Sequence, residues 1–502
     1  MLEYMNSYLN RLSMYKVVSL VLTGLFIASL LFSLIGLIAY SPLAMIASFV
    51  VIGLSCYLTS LLFGLLFGVR VHGESSLITS FILFFIFVPT LELSGLLTLG
   101  LVGMIAGASK FLLVYRGRHM FNPAAVAAFI TSITGLAYAS WWVANPPLTI
   151  LILILGGVII SKTRRFLMGG IFVPTAVILV FLVLMGQGND VGESLGLLVA
   201  WPILFFSSVM LTEPLTLPPK KWQQGFEAVV VAVLFAVPIH IGNFTTSFAL
   251  ALLIGNLLAF GFSRRHAVTL RFKSSKQLTP SSKELTFTTS HNTAFEAGQY
   301  MELTIPHKKA DMRGVRRTFS ITSAPGDKEV KFGIKFYAPA STFKKTIQSL
   351  PAGAIVRTTG VSGGFTLPKD PTRPLLFIAG GIGITPFIGY LRHLKKAEQK
   401  RNIILFYAVS SVDELAYADV LKGAGLKVFV ITLDTKKLPS NEWVRSIESR
   451  IGEDMLREQV QDIHDRSIYI SGPPLMIDST LMHLKHLKVK RSHVKTDYFI
   501  GY

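Results

Sequence analysis

The chain has 502 residues, 51% of them hydrophobic, and a mean hydropathy of +0.55, which is too apolar for a soluble enzyme of this length. The formal net charge of +20 fits lysine and arginine near anionic lipid on the cytoplasmic side of a membrane. No basic helix or aromatic–basic surface motif occurs, so nucleic acid is not an expected partner. The one cysteine, Cys56, excludes intrachain disulfides and a cysteine-ligated iron–sulfur cluster, and no metal site is predicted.

Up to about Phe262 the sequence is a series of long apolar runs. A membrane-spanning helix needs about 20 mostly apolar residues. Lysine and arginine occur in every second loop between the runs, which is typical of loops on the cytoplasmic side. This alternation predicts a multi-pass protein of the cell (inner) membrane, in contact with lipid, with both termini in the cytoplasm. About ten spans are predicted, near residues 17–39, 43–68, 76–90, 93–114, 123–140, 147–161, 167–186, 192–211, 226–240 and 244–262.

Two stretches on the predicted inner side stand out, residues 116–125 with Asn122-Pro123 and residues 212–219 with Thr-Glu-Pro. Asn followed by Pro is also an ordinary helix start, with Asn as the cap. Together with the span order, these stretches resemble the membrane flavin subunit of sodium-pumping NADH:quinone reductase and of Rnf complexes (subunits B and D), over roughly residues 60–220. The Ser/Asp-Gly-Ala-Thr motif that carries covalent FMN in that family is absent from the sequence. The resemblance leaves open a non-covalent FMN or riboflavin in the membrane half, or a flavin on a separate partner.

Trp141 and Trp142 lie where that family has its covalent flavin motif, and they predict an interfacial aromatic belt rather than a flavin stack. Glu213 and Glu227 fall near the inner ends of predicted spans. No acidic residue is clearly at mid-span, so the sequence does not predict a self-contained ion path. The alternative function is a redox-driven ion transporter, or a subunit of a transport complex, with a nucleotide-binding module.

Beyond the apolar half, the pattern changes twice. Apolar and polar residues alternate from Val268 to Phe272, which predicts an antiparallel β-barrel over residues 266–370. From residue 371 to residue 502, short apolar strands alternate with helices, which predicts a parallel α/β domain. The predicted fold is therefore a polytopic helical membrane domain, residues 1–265, followed by these two domains.

Residues 317–320 of the predicted barrel read Arg-Thr-Phe-Ser. A flavin dinucleotide needs a cation for its pyrophosphate, an aromatic wall and a hydroxyl near the isoalloxazine ring, and Arg317, Phe319 and Ser320 supply these in order. An edge strand with one exposed arginine is the alternative. Further along, the hydroxyls at residues 341 and 342 suit either a helix cap or a phosphate site.

Residues 375–394 combine a buried strand, a glycine-rich turn and a helix. A strand that turns directly into a helix needs positive φ and no Cβ, so that the backbone can approach a pyrophosphate; Gly380, Gly381 and Gly383 meet this need. Pro386 suits the first helical turn, and the helix N-terminus offers free N–H groups to an anion.

The last predicted strand ends in Ser-Gly-Pro-Pro-Leu-Met, residues 471–476. In order and spacing, this motif, the glycine-rich turn and the Arg-x-aromatic-Ser motif resemble the ferredoxin–NADP reductase superfamily over residues 266–502. The resemblance implies an FAD-binding barrel and a nicotinamide-binding domain. Binding of FAD is implied for Arg317, Thr318, Phe319, Ser320, Ser341 and Thr342, with Phe499 or Tyr502 covering the flavin. Binding of the nicotinamide dinucleotide is implied for Gly380, Gly381, Gly383, Thr385, Pro386, Gly472, Pro473 and Met476. The implied catalytic residues are Ser320 and Ser471, the latter at a position where many relatives have Cys.

The strand that ends at Val409 is followed by Asp413 and Glu414. NADPH-specific relatives often have Arg or Lys here, and acidic residues disfavour the 2′-phosphate, so NADH is the expected donor. The sequence as a whole predicts a membrane-bound, FAD-dependent NAD(P)H oxidoreductase. Electrons would pass from cytosolic nicotinamide through FAD to a membrane or outer-side acceptor, either a quinone or a flavoprotein. Partner subunits are not identified by the sequence.

Overall fold

The computed structural model describes residues 12–68, 71, 73–115, 118–213, 216–218, 220–241, 244–262, 268–289, 293–307, 310–311, 314–336, 340–432, 444–448 and 450–499. The chain divides into two compact units, residues 1–265 and residues 266–502. The long apolar runs form the first unit. The residues with the alternating pattern and those with the strand–helix pattern together form the second unit.

Several helices of the N-terminal unit begin at a residue whose side chain caps them. The Ser13 hydroxyl accepts a hydrogen bond from the Lys16 N–H at 3.1 Å, and Ser41 caps the next helix, with Pro42 in its first turn. The helices are α1 (Met14–Leu34), α2 (Pro42–Leu66), α3 (Gly73–Ile86), α4 (Leu93–Leu112), α5 (Pro123–Ile133), α6 (Pro146–Thr163), α7 (Phe166–Gly186), α8 (Val191–Leu198), α9 (Ile203–Leu211), α10 (Lys221–Ala236) and α11 (Phe248–Phe262). Two short hairpins are β1 (Val114–Tyr115) with β2 (Arg118–His119), and β3 (His240–Ile241) with β4 (Phe244–Thr245).

A helix overlaps each predicted span, but few of these helices are long enough to cross a membrane. Among the described residues, α1, α2, α4, α6 and α7 are sufficiently long and apolar, and α8 with α9 makes a sixth span only if the two count as one despite a 43° bend. The prediction of ten spans is therefore not confirmed. The apolar runs continue past Pro89 and Gly135, where the helices α3 and α5 have already ended, so the runs overestimate helix length.

The helix packing of the N-terminal unit repeats. In the first half, α2 packs against α3 and α4, α1 against α3, and α4 against α5. In the second half, α7 packs against α8 and α10, α6 against α9, and α10 against α11. The first helices of the two halves, α1 and α6, contact each other, as do the last helices, α5 and α11. A hairpin precedes each last helix, so the unit is a duplicated five-part motif that the sequence analysis did not predict.

The barrel sheet of the C-terminal unit is antiparallel, with strand order β8-β7-β10-β5-β6-β9. Period-two alternation turns one side of each strand inward, where Phe287, Met301 and Phe332 form part of a buried core. The strands are β5 (Thr269–Thr279), β6 (Ser282–Thr289), β7 (Tyr300–Thr304), β8 (Arg316–Ser320), β9 (Glu329–Lys335) and β10 (Ile355–Ser362), with one helix, α12 (Thr342–Gln348).

The second sheet is parallel, with strand order β14-β13-β12-β11-β15-β16. Its central strands β11 and β15 are buried along their whole length, as expected for strands covered on both faces, and a separate apolar cluster packs on each face. The strands are β11 (Leu375–Gly380), β12 (Ile403–Ala408), β13 (Lys427–Thr432), β14 (Val444–Glu448), β15 (Ser467–Gly472) and β16 (Val494–Tyr498). The helices are α13 (Thr385–Lys396), α14 (Ala418–Lys422), α15 (Glu453–Gln459) and α16 (Pro474–His486).

Candidate functional site

The glycine-rich loop lies at the centre of the parallel sheet. The chain leaves β11 through one 3₁₀ turn, Gly381–Ile384, and enters α13, with Pro386 in the first helical turn. The Thr385 hydroxyl is buried and donates to the Ile382 carbonyl at 3.0 Å. Strand order reverses between β11 and β15, and in open α/β sheets the crevice at the carboxyl ends of such strands is the usual nucleotide site.

The three glycines of this loop have different surroundings. Gly381 has φ +53°, and a Cβ there would meet no atom within 4 Å, so its backbone is open to a ligand. A Cβ on Gly380 would lie 2.6 Å from Met476 Sδ, and a Cβ on Gly383 would lie 2.5 Å from the Ser471 carbonyl oxygen. The sequence analysis gave all three glycines one purpose, whereas Gly380 and Gly383 allow the loop to pack closely against residues 471–476.

Three polar side chains come together where β15 and β16 approach the barrel. Ser471 is fully buried, and within the described part of the chain its hydroxyl has no hydrogen-bond partner. Asp497 is the register partner of Ser471 on β16, so both side chains belong to one face of the sheet, and its carboxyl is hydrogen-bonded to the side chain of Ser320. Burial raises the pKa of Asp497 to about 6, while the Ser320 hydrogen bond acts in the opposite direction.

Asp497 is the site residue that the sequence analysis missed. It belongs to no recognised motif, and its place depends on which strand pairs with β15 and in which register. The only available signal was an acidic residue in a short apolar segment close to the end of the sequence. By contrast, Ser320 and Ser471 were predicted, and the structure brings both to this cluster.

The last described residues also lie beside this turn. The Phe499 N–H donates to the Gly472 carbonyl at 2.8 Å, and the Phe499 side chain is half-buried. Pro473 comes directly after Gly472 and immediately precedes α16. This position agrees with a chain end that covers the crevice. Tyr502, the other aromatic residue considered for that role, lies outside the described residues.

The Arg-Thr-Phe-Ser motif lies on β8, at one edge of the barrel sheet. The Arg317 side chain is only 9% exposed, and its guanidinium carbon lies 5.3 Å from the centroid of the Phe343 ring, so the alternative of an exposed arginine is wrong. Phe319 packs on the same ring at 6.1 Å between centroids, partly within the barrel core. Thr318 is exposed.

A carboxylate of the chain itself lies where the flavin pyrophosphate is predicted. Asp311 Oδ2 accepts the Thr342 N–H at 3.0 Å, at the start of α12, and Asp311 Oδ1 is 3.9 Å from Arg317 Nη2. The Thr342 hydroxyl is 2.9 Å from His307 Nε2 and accepts the Asp311 N–H at 3.0 Å. The Ser341 hydroxyl caps α12, which is one of the two roles that its sequence context suits. The Asp311 carboxylate thus lies between Arg317 and the start of α12.

Glu414, one of the two acidic residues behind the NADH prediction, has another partner. Its carboxylate is 2.9 Å from Lys335 Nζ on β9 and is also hydrogen-bonded to the Ser281 hydroxyl. Burial acts to raise the pKa of Glu414, but these hydrogen bonds lower it. Glu414 therefore joins the barrel to the parallel-sheet domain, and the expectation of NADH now depends on the exposed Asp413.

A second ion pair holds the barrel against the helix that follows the glycine-rich loop. Arg392 on α13 donates to Glu284 on β6 through both terminal nitrogens, at 2.7 and 3.3 Å, and to the Thr322 carbonyl at 3.0 Å. Glu284 is 5% exposed and also accepts the Thr322 hydroxyl at 2.9 Å. We call Glu284, Arg392 and Thr322 the interdomain clamp. Because α13 begins at the loop, the clamp sets where the loop lies relative to the barrel.

In the N-terminal unit, the two stretches singled out from the sequence meet. Asn122 Nδ2 donates to Glu213 Oε2 at 2.9 Å, and the Asn122 N–H donates to Asn256 Oδ1 at 2.9 Å. The Asn122 side chain also caps α5, as its sequence context indicates. Trp141 and Trp142 are 4% and 7% exposed and pack among aromatic residues, so the predicted interfacial belt is wrong for both.

Comparisons with known proteins agree with the parallel-sheet domain. Residues 377–481 match the oxidoreductase NAD-binding domain family model. The reductase component of propane 2-monooxygenase from Rhodococcus jostii (strain RHA1) is 29% identical over 213 residues, 41% of this chain and 55% of that protein. The reductase component of the Pseudomonas putida naphthalene 1,2-dioxygenase system is 24% identical over 207 residues, 41% of this chain and 60% of that protein. The chain thus spans little more than half the length of these relatives.

Solved structures resemble the chain over less than half its length. An Amycolatopsis cytochrome P450 reductase aligns with a TM-score of 0.40 and 21% identity, over 47% of this chain and 70% of that one. The FAD/NAD-binding domain of a Vibrio cholerae nitric oxide dioxygenase aligns with a TM-score of 0.39 and 20% identity, over 46% of this chain and 98% of that one. TM-scores below 0.5 support no further conclusion.

Residues 377–481 therefore match an oxidoreductase NAD-binding domain, which confirms the prediction of a nicotinamide-binding domain in this part of the chain, and the parallel sheet agrees with it. The resemblance of roughly residues 60–220 to a membrane flavin subunit is not shown by the comparisons and stays a prediction.

Proposed function

We propose that the chain is a membrane-bound, FAD-dependent NAD(P)H oxidoreductase, with NADH as the favoured donor. The observation that carries the proposal is the meeting of two motifs at the point where strand order reverses. A Cβ on Gly381 would meet no atom within 4 Å, and the hydroxyl of Ser471, on the neighbouring strand, is buried with no hydrogen-bond partner among the described residues. A buried hydroxyl without a hydrogen-bond partner costs free energy. A bound ligand that accepted or donated this hydrogen bond would remove the cost, and this supports a ligand site here.

The residues of the second unit suit FAD and a nicotinamide dinucleotide. Arg317 and the start of α12 would hold the flavin pyrophosphate once Asp311 moves aside. FAD held there would supply the chemistry that links two-electron hydride transfer from the nicotinamide to one-electron release. Ser320 and Ser471 would position the two rings, and Asp497 would exchange the accompanying proton through Ser320, because a carboxyl with a pKa of about 6 titrates close to neutral pH.

The N-terminal unit would place this chemistry at the cell membrane, with both chain termini in the cytoplasm. Five long apolar helices support membrane association. The proposed acceptor is a quinone or a flavoprotein, with a non-covalent FMN or riboflavin in the membrane unit as an alternative carrier.

The direct test is flavin analysis of the full-length protein purified in detergent. The wild-type protein should contain FAD that bleaches when NADH is added without oxygen. The double variant R317A/S320A should lose both the flavin and the bleaching, because it lacks the pyrophosphate cation and the ring hydroxyl. R457A/S479A is the matched control, since it removes one arginine and one serine from exposed positions on α15 and α16. Retention of flavin and full bleaching in R317A/S320A would reject the proposal.

A second candidate function is favoured by the relatives, whose names describe reductase components of oxygenase systems. In that case the acceptor would be a ferredoxin or an oxygenase component rather than a membrane quinone. Adding a water-soluble quinone or a ferredoxin to the NADH-reduced protein distinguishes the two. Reoxidation by the quinone alone favours a membrane acceptor, and reoxidation by the ferredoxin alone favours an oxygenase system.

A further inference from the structure

One acidic side chain of the N-terminal unit, Glu227, is fully buried. Glu227 is the seventh residue of α10 and is 0% exposed, and within the described residues neither carboxyl oxygen has a hydrogen-bond partner. Ionisable residues inside membrane proteins are rare, face the protein interior and commonly mark ion or proton pathways. None of the proposed redox steps uses this residue.

The polar side of α10 faces inward. Gln223, Gln224 and Glu227 are buried, while Trp222 and Phe226 on the other side are 62% and 49% exposed. Gln224 Nε2 donates to the Pro218 carbonyl at 2.9 Å, and Gln223 accepts the Lys220 N–H at 3.1 Å. The two glutamines precede Glu227 by four and three residues, so they lie on the same helix face. Polar side chains therefore lie along this helix face from the exposed Lys220 and Lys221 to the buried carboxyl of Glu227.

The surroundings of Glu227 offer it little charge. The helices packed on α10 are α7 and α11, and neither contains an ionisable side chain. A Cβ on Gly255 of α11 would lie 3.4 Å from Glu227 Oε1, so this oxygen faces backbone and apolar atoms. Among the described residues, the charged group that acts on Glu227 is Arg165 at the start of α7. An ionised carboxylate without hydrogen bonds is far less favourable in such a place than a neutral carboxyl group.

We propose that Glu227 is a proton-binding site inside the membrane unit. The carboxylate forms an O–H bond with a proton taken from water at the Lys220–Lys221 end of α10, and no electron moves in this step. The proton is held next to the contact between the two repeats, because Gly255 precedes Asn256, and Asn256 accepts the hydrogen bond of Asn122 across that contact. Repeat interfaces are the usual place for transported ions in duplicated membrane folds. The site gives the membrane unit a proton-binding function that is distinct from the proposed electron transfer.

The test uses the full-length protein in lipid nanodiscs at neutral pH. Infrared difference spectra between the wild-type protein and E227Q should show a protonated-carboxyl C=O band that E227Q lacks. Dicyclohexylcarbodiimide, which reacts with protonated carboxyl groups in apolar surroundings, should form an adduct on the peptide that contains Glu227. Peptide mass spectrometry locates that adduct. E193Q is the matched control, because Glu193 is an exposed acid in the capping box of α8, and this variant should keep the band and the Glu227 adduct.

An infrared spectrum in which E227Q removes only a carboxylate band, or a wild-type protein that stays unlabelled at Glu227, would overturn the proposal. The labelling experiment needs no variant, so it decides the question even if E227Q does not fold. Neither measurement uses NADH or a flavin. Their failure would leave the proposed reductase activity standing, and failure of the flavin tests would leave this inference standing.

Discussion

The interdomain clamp makes a quantitative prediction about the C-terminal unit. The variant R392A removes the cation from Glu284, which is 5% exposed and therefore remains as a buried carboxylate. Breaking a buried ion pair from one side costs about 3–5 kcal/mol, because the remaining charge is poorly solvated. The Thr322 hydroxyl still donates to Glu284 at 2.9 Å, which favours the lower end, about 3 kcal/mol.

E284Q is expected to be milder. Glutamine still accepts hydrogen bonds from Arg392 and Thr322, and the Arg392 side chain is 24% exposed, so water can solvate its charge. We expect a loss of about 1–2 kcal/mol from the weaker hydrogen bonds. The double variant R392A/E284Q leaves no buried charge, and it should be more stable than R392A alone. A double variant that is more stable than R392A shows that the loss in R392A comes from the broken ion pair, because a general packing effect would make the double variant less stable.

These differences in stability are measured by heating the full-length protein in detergent and monitoring the unfolding of the C-terminal unit by limited proteolysis. For a unit of this size, a loss of about 3 kcal/mol lowers the midpoint by roughly 6–12 °C. K396A, which removes the exposed partner of Asp327, is the control and should change the midpoint little. An R392A midpoint equal to that of K396A, or a double variant less stable than R392A, would refute the reasoning.

Three further predictions concern the site. G383A should lower the thermal midpoint strongly, because its Cβ would lie 2.5 Å from the Ser471 carbonyl oxygen. G381A, whose Cβ would meet no protein atom but whose φ is +53°, should lower the stability of the fold by only about 1 kcal/mol, and an equal loss of thermal midpoint in both variants would contradict the geometry. D311N should tighten FAD binding by roughly fivefold in titration of the flavin-free protein, because a like charge beside the pyrophosphate disappears; weaker binding would contradict this. D497N should stabilise the fold by up to about 3 kcal/mol above pH 6. A folded pKa above the usual 3.8 penalises the ionised carboxyl, so the gain in thermal midpoint should vanish as the pH falls below about 4.

The loop–strand motifs of the C-terminal unit were predictable because their signals are local. A fully buried strand, a glycine-rich turn and a proline in the first helical turn occupy residues 375–386 in sequence order. The motif at 471–476 is equally compact, and the topology of a parallel sheet then brings both to one edge. The detailed role of each glycine was not predictable, because the close contact of Gly383 with the Ser471 carbonyl depends on the distance between two strands.

Asp311 and Asp497 were not predictable for a different reason. Each acts through a partner that is distant in sequence: Asp311 contacts Thr342, and Asp497 is hydrogen-bonded to Ser320. A single acidic residue outside a motif carries no sequence signal for such a partner. Glu414 shows the reverse case, since its local context suggested that it disfavours the 2′-phosphate of NADPH, while a lysine on β9 pairs with it in the structure.

The position of Glu227 shows how a small error in a helix boundary changes a functional conclusion. The apolar run starts at residue 226, which makes Glu227 the second residue of a predicted span, whereas α10 begins at Lys221. With a rise of about 1.5 Å per residue, the carboxyl-bearing residue lies about 9 Å from the helix start instead of about 1.5 Å. Hydropathy cannot detect this first turn, because its polar residues Gln223 and Gln224 are buried only by tertiary packing. A carboxyl at the end of a span is hydrated and implies no function. The same carboxyl one and a half turns deeper, with no hydrogen-bond partner among the described residues, has to bind a proton or carry most of the cost of its charge.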